Sequence, residues 1–153
     1  MAVRTIIFRG KRIDNGEWLV SGTLLQNSDD ERFCWMPVYG DKFGTAEDDN
    51  GNILRMEYGT LYRVDPETVN QYTGLKDKNG KRIFEGDIVV CSQEINGNFI
   101  DKHVAIGFVE MRHGAFGLHR KQGYYRPFKD WLEDYELEVI GNIHDNGELM
   151  EVR

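Results

Sequence analysis

The sequence predicts a mainly β fold with short helices, and three observations carry that expectation. Five Asn-Gly pairs punctuate the chain, at Asn15-Gly16, Asn50-Gly51, Asn79-Gly80, Asn96-Gly97 and Asn146-Gly147. Asn and Gly tolerate the positive φ of a type I′ turn, whose twist matches paired strands, so such pairs mark hairpins. Most of them sit between short apolar runs rich in Val, Ile, Phe, Tyr and Trp, residues that fit a pleated surface. Helical spacing is confined to two short stretches.

From the N-terminus, Val3 to Arg9 folds at Asn15-Gly16 toward Glu17 to Leu25, with Trp18, Val20 and Leu24 expected to face inward. Gln26 to Arg32 is polar and reads as a loop. Phe33 to Tyr39 follows as a strand, and Pro37, lacking an N–H, places it at an edge or end. Gly40 to Asn52, with its acidic Glu47-Asp48-Asp49, reads as an exposed loop. Asp65-Pro66-Glu67 has the chemistry of a helix start: a capping carboxylate, proline in the first turn and an acid near the positive end of the dipole. Gly74 is expected at or soon after its end. Ile83 to Cys91 and Lys102 to Arg112 are strands, the latter turning at His113-Gly114 into Ala115 to His119. Pro127 to Tyr135 is the second helix, with Phe128, Trp131, Leu132 and Tyr135 on one face. Glu136 to Ile143 closes the set as a strand with Leu137, Val139, Gly141 and Ile143 on one side, and Asp145 caps a final turn through Leu149.

Length and composition narrow the class of protein. A chain of 153 residues can bury a core without staples. Cys34 and Cys91 lie in apolar runs and read as reduced core residues, and the N-terminus lacks a signal-peptide apolar segment, so a cytoplasmic location is expected. No apolar run approaches a membrane span. A net charge of −7 opposes phosphate backbones overall. The acids concentrate at Asp130, Glu133, Asp134, Glu136, Glu138, Asp145, Glu148 and Glu151, and the bases cluster at Lys76 to Arg82 and Arg112 to Arg126.

Motifs for chemistry come close and fail on spacing. Gly74 to Arg82 has five residues between its glycines where a P-loop has four, and Arg82 replaces the Mg²⁺-binding hydroxyl residue, so a hairpin explains it better. Asp48, Asn50, Gly51 and Glu57 match a calcium loop whose first position would be Ala46, which cannot ligate. His103, His113, His119 and His144 lack zinc spacing, and Ser21, Ser28 and Ser92 lie in no nucleophile elbow. No catalytic residue, metal ligand or cofactor site is assigned. A hydrolase built on His113 or on Glu85 with Asp87 ranks third among the functional readings.

Asn70 to Val89, reading NQYTGLKDKNGKRIFEGDIV, resembles the core signature of the YopX family of phage and prophage proteins. Phe8-Arg9-Gly10-Lys11 resembles that family's opening motif. Val139-Ile-Gly-Asn-Ile143 followed by Glu148-Leu149 resembles its closing one, although Asp145-Asn146-Gly147 departs from the usual Asn-Pro. The resemblance implies an SH3-like β-barrel with an additional N-terminal β-hairpin or sheet: one YopX-like domain, 1–153, with a possible division into 1–65 and 66–153. The signature itself reads as structural, with Asn79-Gly80 turning a hairpin, Ile83 and Phe84 entering the core and Gly86 bending the backbone at a barrel corner.

The leading expectation is a non-catalytic phage or prophage accessory protein that binds a protein partner or its own copies, with Tyr72, Lys76, Asp77 and Lys78 as the candidate surface. The eighteen aromatics and the acidic exterior motivate it. The alternative is a module for single-stranded DNA or RNA, in which Phe108, Arg112, Phe116, Arg120, Lys121, Tyr124, Tyr125 and Arg126 interleave cations with stacking rings.

Overall fold

The computed structural model describes residues 4–39, 44–47, 53–56, 59–95 and 98–151. Its chain divides into two units, Met1–Gln71 and Tyr72–Arg153.

In the first unit, β1 (Phe8–Lys11) and β2 (Trp18–Ser21) pair around a turn containing Asn15 and Gly16, the latter at φ +73. A five-stranded antiparallel sheet runs in the order β3-β4-β7-β6-β5, from β3 (Leu25–Gln26), β4 (Cys34–Tyr39), β5 (Gly44–Glu47), β6 (Ile53–Met56) and β7 (Gly59–Val64). One short strand, β5, thus stands where a loop was expected, because it pairs with β6 over its whole length, and β3, paired with Cys34 and Trp35, reaches one residue into the other expected loop. Asn50-Gly51 and most of the acidic stretch beside it lie outside the described residues. Pro37 fits the edge reading: β3 ends opposite Trp35, so no described strand on that flank asks it for an N–H.

Cys34, Met36 and Val64 form the core of this unit, with Phe8, Leu19 and Leu24 packed on it. Leu19 therefore faces inward and Trp18 and Val20 outward, the reverse of the expected phase for both, while Leu24 packs inward as expected. The register decides this, pairing Phe8 with Ser21 and Arg9 with Val20. Gly10 makes the packing possible, since a Cβ there would stand 3.1 Å from the Met36 sulfur and 3.2 Å from Val64 Cβ. On the other face of β4, Trp35 packs with Leu61 and Phe33.

Asp65 does cap a helical turn, accepting the Glu67 N–H at 3.0 Å, but the turn is a single 3₁₀ turn, Pro66–Thr68. The chain leaves it at once into β8 (Asn70–Lys76), whose first residues pair with β1. Gly74 accordingly ends no helix; at φ +87 it sits within β8, where the register to the next strand shifts.

In the second unit, the rest of β8 pairs with β9 (Arg82–Phe84) across a turn with Gly80 at φ +79. The main sheet has the order β13-β12-β11-β10-β14, built from β10 (Asp87–Ile95), β11 (Asn98–Arg112), β12 (Ala115–Arg120), β13 (Tyr125–Pro127) and β14 (Tyr135–Asn142). Asn96-Gly97 lies outside the described residues, between strands paired as far as Ile95 and Asn98. The β11–β12 turn has His113 at φ +50 and Gly114 at φ +77, as a type I′ turn requires. Ile83, Val89, Cys91, Val109, Leu118, Phe128 and Leu137 form the core. Both cysteines are free and buried.

Two expectations change here. Residues 127–135 form two 3₁₀ turns, Phe128–Asp130 and Leu132–Asp134, because Trp131 between them adopts φ −152, which no continuous helix allows. The predicted apolar face survives: Phe128 is buried, and Trp131, Leu132 and Tyr135 pack on the core. The second change concerns the barrel. The described sheets are open, so the SH3-like barrel is not seen among the described residues. The outer edge of β14 is met by a turn in place of a closing strand: Lys78 N–H donates to Leu137 O at 2.9 Å, and Val139 N–H donates to Asp77 Oδ2 at 3.0 Å.

Gly86, expected at a barrel corner, is a bend with φ +78 that links two strands. Its N–H donates to Val109 O and its carbonyl accepts from Ile143 N–H, both at 2.8 Å. The final turn, Gly147–Met150, has Asn146 at its cap position in place of Asp145, and Asn146 Oδ1 accepts from Asn142 N–H.

Candidate functional site

The first candidate surface resolves into structural and exposed members. Tyr72 is 5% exposed and packs on Phe84, ring centroids 5.7 Å apart, with Arg82 over its ring. Asp77 is 7% exposed, and its carboxylate accepts the backbone N–H groups of Asn79 and Lys81, at 2.9 Å each, as well as that of Val139. Burial acts to raise its pKa, but those three donors and the Lys81 charge outweigh it and hold the carboxyl below its ordinary value. Lys76 and Lys78 remain exposed, and Lys78 pairs with Glu138 at 2.8 Å. The hydrogen bond to Glu138 raises the Lys78 pKa. The signature thus acts mainly as a clasp on β14, with two lysines outside it.

The basic and aromatic stretch falls on two faces of the main sheet, because alternation along β11 and β12 sends neighbours to opposite sides. Phe108, Arg112 and Tyr125 share one face with Glu110 and His119. Phe108 stacks on His119 with centroids 4.8 Å apart, Glu110 accepts from His119 Nδ1 at 2.9 Å and pairs with Arg112 at 3.2 Å, and Arg112 lies over Tyr125. Tyr125 donates its hydroxyl to Ala115 O at 2.5 Å. Phe116 joins the core on the opposite face, and Arg120 lies on that side. Arg120 donates to the Tyr124 hydroxyl at 2.6 Å, and Lys121 Nζ donates to Leu149 O at 3.2 Å. These eight residues do not make one platform.

Two arrangements were missed at the level of sequence. On the core side of the main sheet, Cys91, Ala105, Leu118, Arg120, Arg126, Trp131 and Tyr135 line a small cleft of about 40 Å³ that is partly open to solvent. Trp131 meets Tyr135 edge to face, centroids 5.1 Å apart, and its indole N–H donates to Arg126 O at 3.3 Å. Burial pushes the Cys91 thiol up to about 12, against a smaller opposing effect of Arg120, so the cleft floor is neutral. Residues brought together from five elements gave no sequence spacing to find.

The other arrangement is the outward face of the first hairpin. Arg9 and Lys11 lie over Trp18 at 4.8 and 5.4 Å, Val20 opposite Arg9 is 54% exposed, and Ile13 beyond the strand is 53% exposed. Here a signal existed: Arg9 and Lys11 are two apart on β1, and a register set by Asn15-Gly16 places Val20 and Trp18 opposite them.

Of the enzymatic candidates, His113 occupies the β11–β12 turn, and Asp87 is 2% exposed, accepting Phe84 N–H at 2.8 Å. That bond fixes the turn into β10. The His103 side chain and most of the calcium-loop positions lie outside the described part. Among the described residues, no three His, Cys, Asp or Glu side chains gather to hold a metal, and no helix is long and apolar enough to cross a membrane.

A family model described as YopX protein matches residues 8–151. The chain belongs to the YopX family. Its structure is similar to the crystal structure of protein EF1440 from Enterococcus faecalis, with 24% sequence identity, a TM-score of 0.51 and coverage of 97% of this chain and 100% of that one. At that identity the likeness speaks to the fold. No curated protein matches the sequence. Within the family's opening and closing motifs, Gly10 lets β1 lie on Met36 and Val64, and Asn142 turns the chain by accepting the N–H groups of His144 and Asp145.

Proposed function

We propose that this YopX protein is a non-catalytic accessory protein of a phage or prophage, acting in the cytoplasm of the host by binding a protein partner or a second copy of itself. One observation carries the reading: the outward face of the first hairpin holds a half-buried Trp18 between two cations, beside exposed Val20 and Ile13. Trp and Arg surrounded by apolar neighbours are the residues that dominate binding energy at protein contacts, and the cations favour an acidic partner surface. A second copy supplies such a surface through its exposed Asp130, Glu133 and Asp134.

The alternative, a single-stranded nucleic-acid module on an SH3-like barrel, has less support, since its candidate residues divide between two faces and Glu110 sits among them. Light scattering on wild type and Arg9→Glu with Trp18→Ala separates the outcomes. An oligomer that the double variant dissolves supports self-association, and a monomer that captures a partner only when wild type supports a heterologous contact. A monomer whose capture is unchanged by the variant refutes the surface, and binding to single strands that weakens steeply with salt favours the alternative.

A further inference from the structure

We propose that the cleft on the core side of the main sheet is a binding site for a carboxylate carried on an apolar body. The ligand is thus a free aromatic or branched acid, or the C-terminal residue of a peptide chain. The site lies in the second unit and shares no residue with the hairpin surface.

The cleft has the two halves that such a ligand needs. Its floor and walls are apolar: Leu118 and Ala105 lie beneath, the un-ionised Cys91 thiol beside them, and Trp131 and Tyr135 form an aromatic wall held edge to face. Its enclosed volume is small, about 40 Å³, and its mouth is partly open to solvent, so a ligand's apolar body enters in part and its remainder lies across the mouth. Its polar part is cationic, from Arg120 on β12 and Arg126 on β13. Cross-strand register sets Arg126 opposite Leu118, with the His119–Tyr125 pair between it and Arg120. A guanidinium offers a planar fork that matches two carboxylate oxygens, and two such groups beside an apolar floor select an anion over a neutral analogue. Arg120 is held in place by its hydrogen bond to Tyr124 and by lying over that ring, centroid distance 5.2 Å. Arg126 is exposed at the rim, and no carboxylate pairs with it among the described residues. The carboxylates of Asp130, Glu133 and Asp134 are exposed and do not line the cleft.

The test is an NMR titration of the full ¹⁵N-labelled chain in two arms. One arm uses phenylacetate and hexanoate with phenylacetamide as neutral control, and the other uses acetyl-Gly-Gly-Phe with its C-terminal amide. Saturable shifts should appear at the amides of Cys91, Leu118, Arg120 and Arg126 and at the Trp131 indole N–H, with the neutral amides silent. Arg126→Ala, whose backbone carbonyl still serves Trp131, should weaken binding by about tenfold, and Arg126→Lys by less, because the charge stays and the fork is lost. Response in the first arm alone identifies free acids as the ligand, response in the second alone identifies a chain terminus, and response in both leaves the shared chemistry as the determinant. The proposal is overturned if neither arm saturates by about 10 mM, if the amides bind as well as the acids, or if Arg126→Ala binds like wild type.

Discussion

Removing the Asp77 carboxylate tests the account of the family signature most directly. In Asp77→Ala, three backbone donors lose their acceptor: Asn79 and Lys81 in the turn, and Val139 at the edge of β14. Net hydrogen bonds to a charged group contribute about 1.5–3 kcal/mol each, but the donors of the two exposed turn residues regain water. The Val139 bond accounts for most of the loss, and the loosened turn adds the remainder, so a cost of about 3 kcal/mol is expected. In urea, with a slope of about 2 kcal/mol/M, the midpoint of the second unit should fall by about 1.5 M. The pH dependence has a definite sign. Because the folded carboxyl titrates below its ordinary value of 3.8, its contribution is complete above that value and is lost as pH falls through the lower, folded value. The gap between wild type and Asp77→Ala should therefore close below pH 3.8, whereas Asp77→Asn, which cannot ionise, should show no such closure relative to Asp77→Ala. A penalty under about 0.5 kcal/mol at neutral pH, the range of an ordinary surface substitution, would refute the clasp, as would a gap that stays constant through acid.

Further outcomes follow from the same geometry. Gly107→Ala would press a Cβ onto the backbone oxygen of His119 and to within 2.7 Å of Leu118 Cγ, so differential scanning calorimetry should show a loss of about 2–3 kcal/mol. Burial raises both thiols, Cys91 to about 12, so an aromatic disulfide reagent at pH 8 should label neither cysteine until denaturant opens the fold. His113→Asn keeps the positive φ of the turn with a residue that favours it, and chemical denaturation should show a gain of about 0.5 kcal/mol.

Local chemistry explains why much of the fold is legible in the sequence. His113-Gly114 reverses the chain with both residues at positive φ, and Asn79-Gly80 with Gly80 alone at positive φ, so the hairpins around them follow from adjacent positions. The apolar face of Phe128, Trp131, Leu132 and Tyr135 is also local, although its spacing fits a broken pair of 3₁₀ turns as well as a helix. What the sequence hides are partners brought from far away. Asp77 has the composition of a surface turn residue, and only Val139, 62 positions later, makes it a buried acceptor. The phase of Val20 depends on cross-strand register, and the cleft on residues of five elements. The open sheet was equally hidden, since a strand edge met by a turn leaves the same alternation in sequence as one met by another strand.

The two hydrogen bonds of Gly86 bear on the order in which the polypeptide is made. That peptide unit is tied to Val109 on one side and to Ile143 on the other, and β10 next to it has β14 as its second neighbour. The sheet therefore waits, during translation, for a segment synthesised some fifty residues after the bend, and loop closure over that span is slow relative to local hairpins. The first unit draws its sheet from residues already synthesised before Tyr72. On a ribosome it can settle while its successor is still half made, with the β10–β11 ribbon exposed along one side until Ile143 emerges.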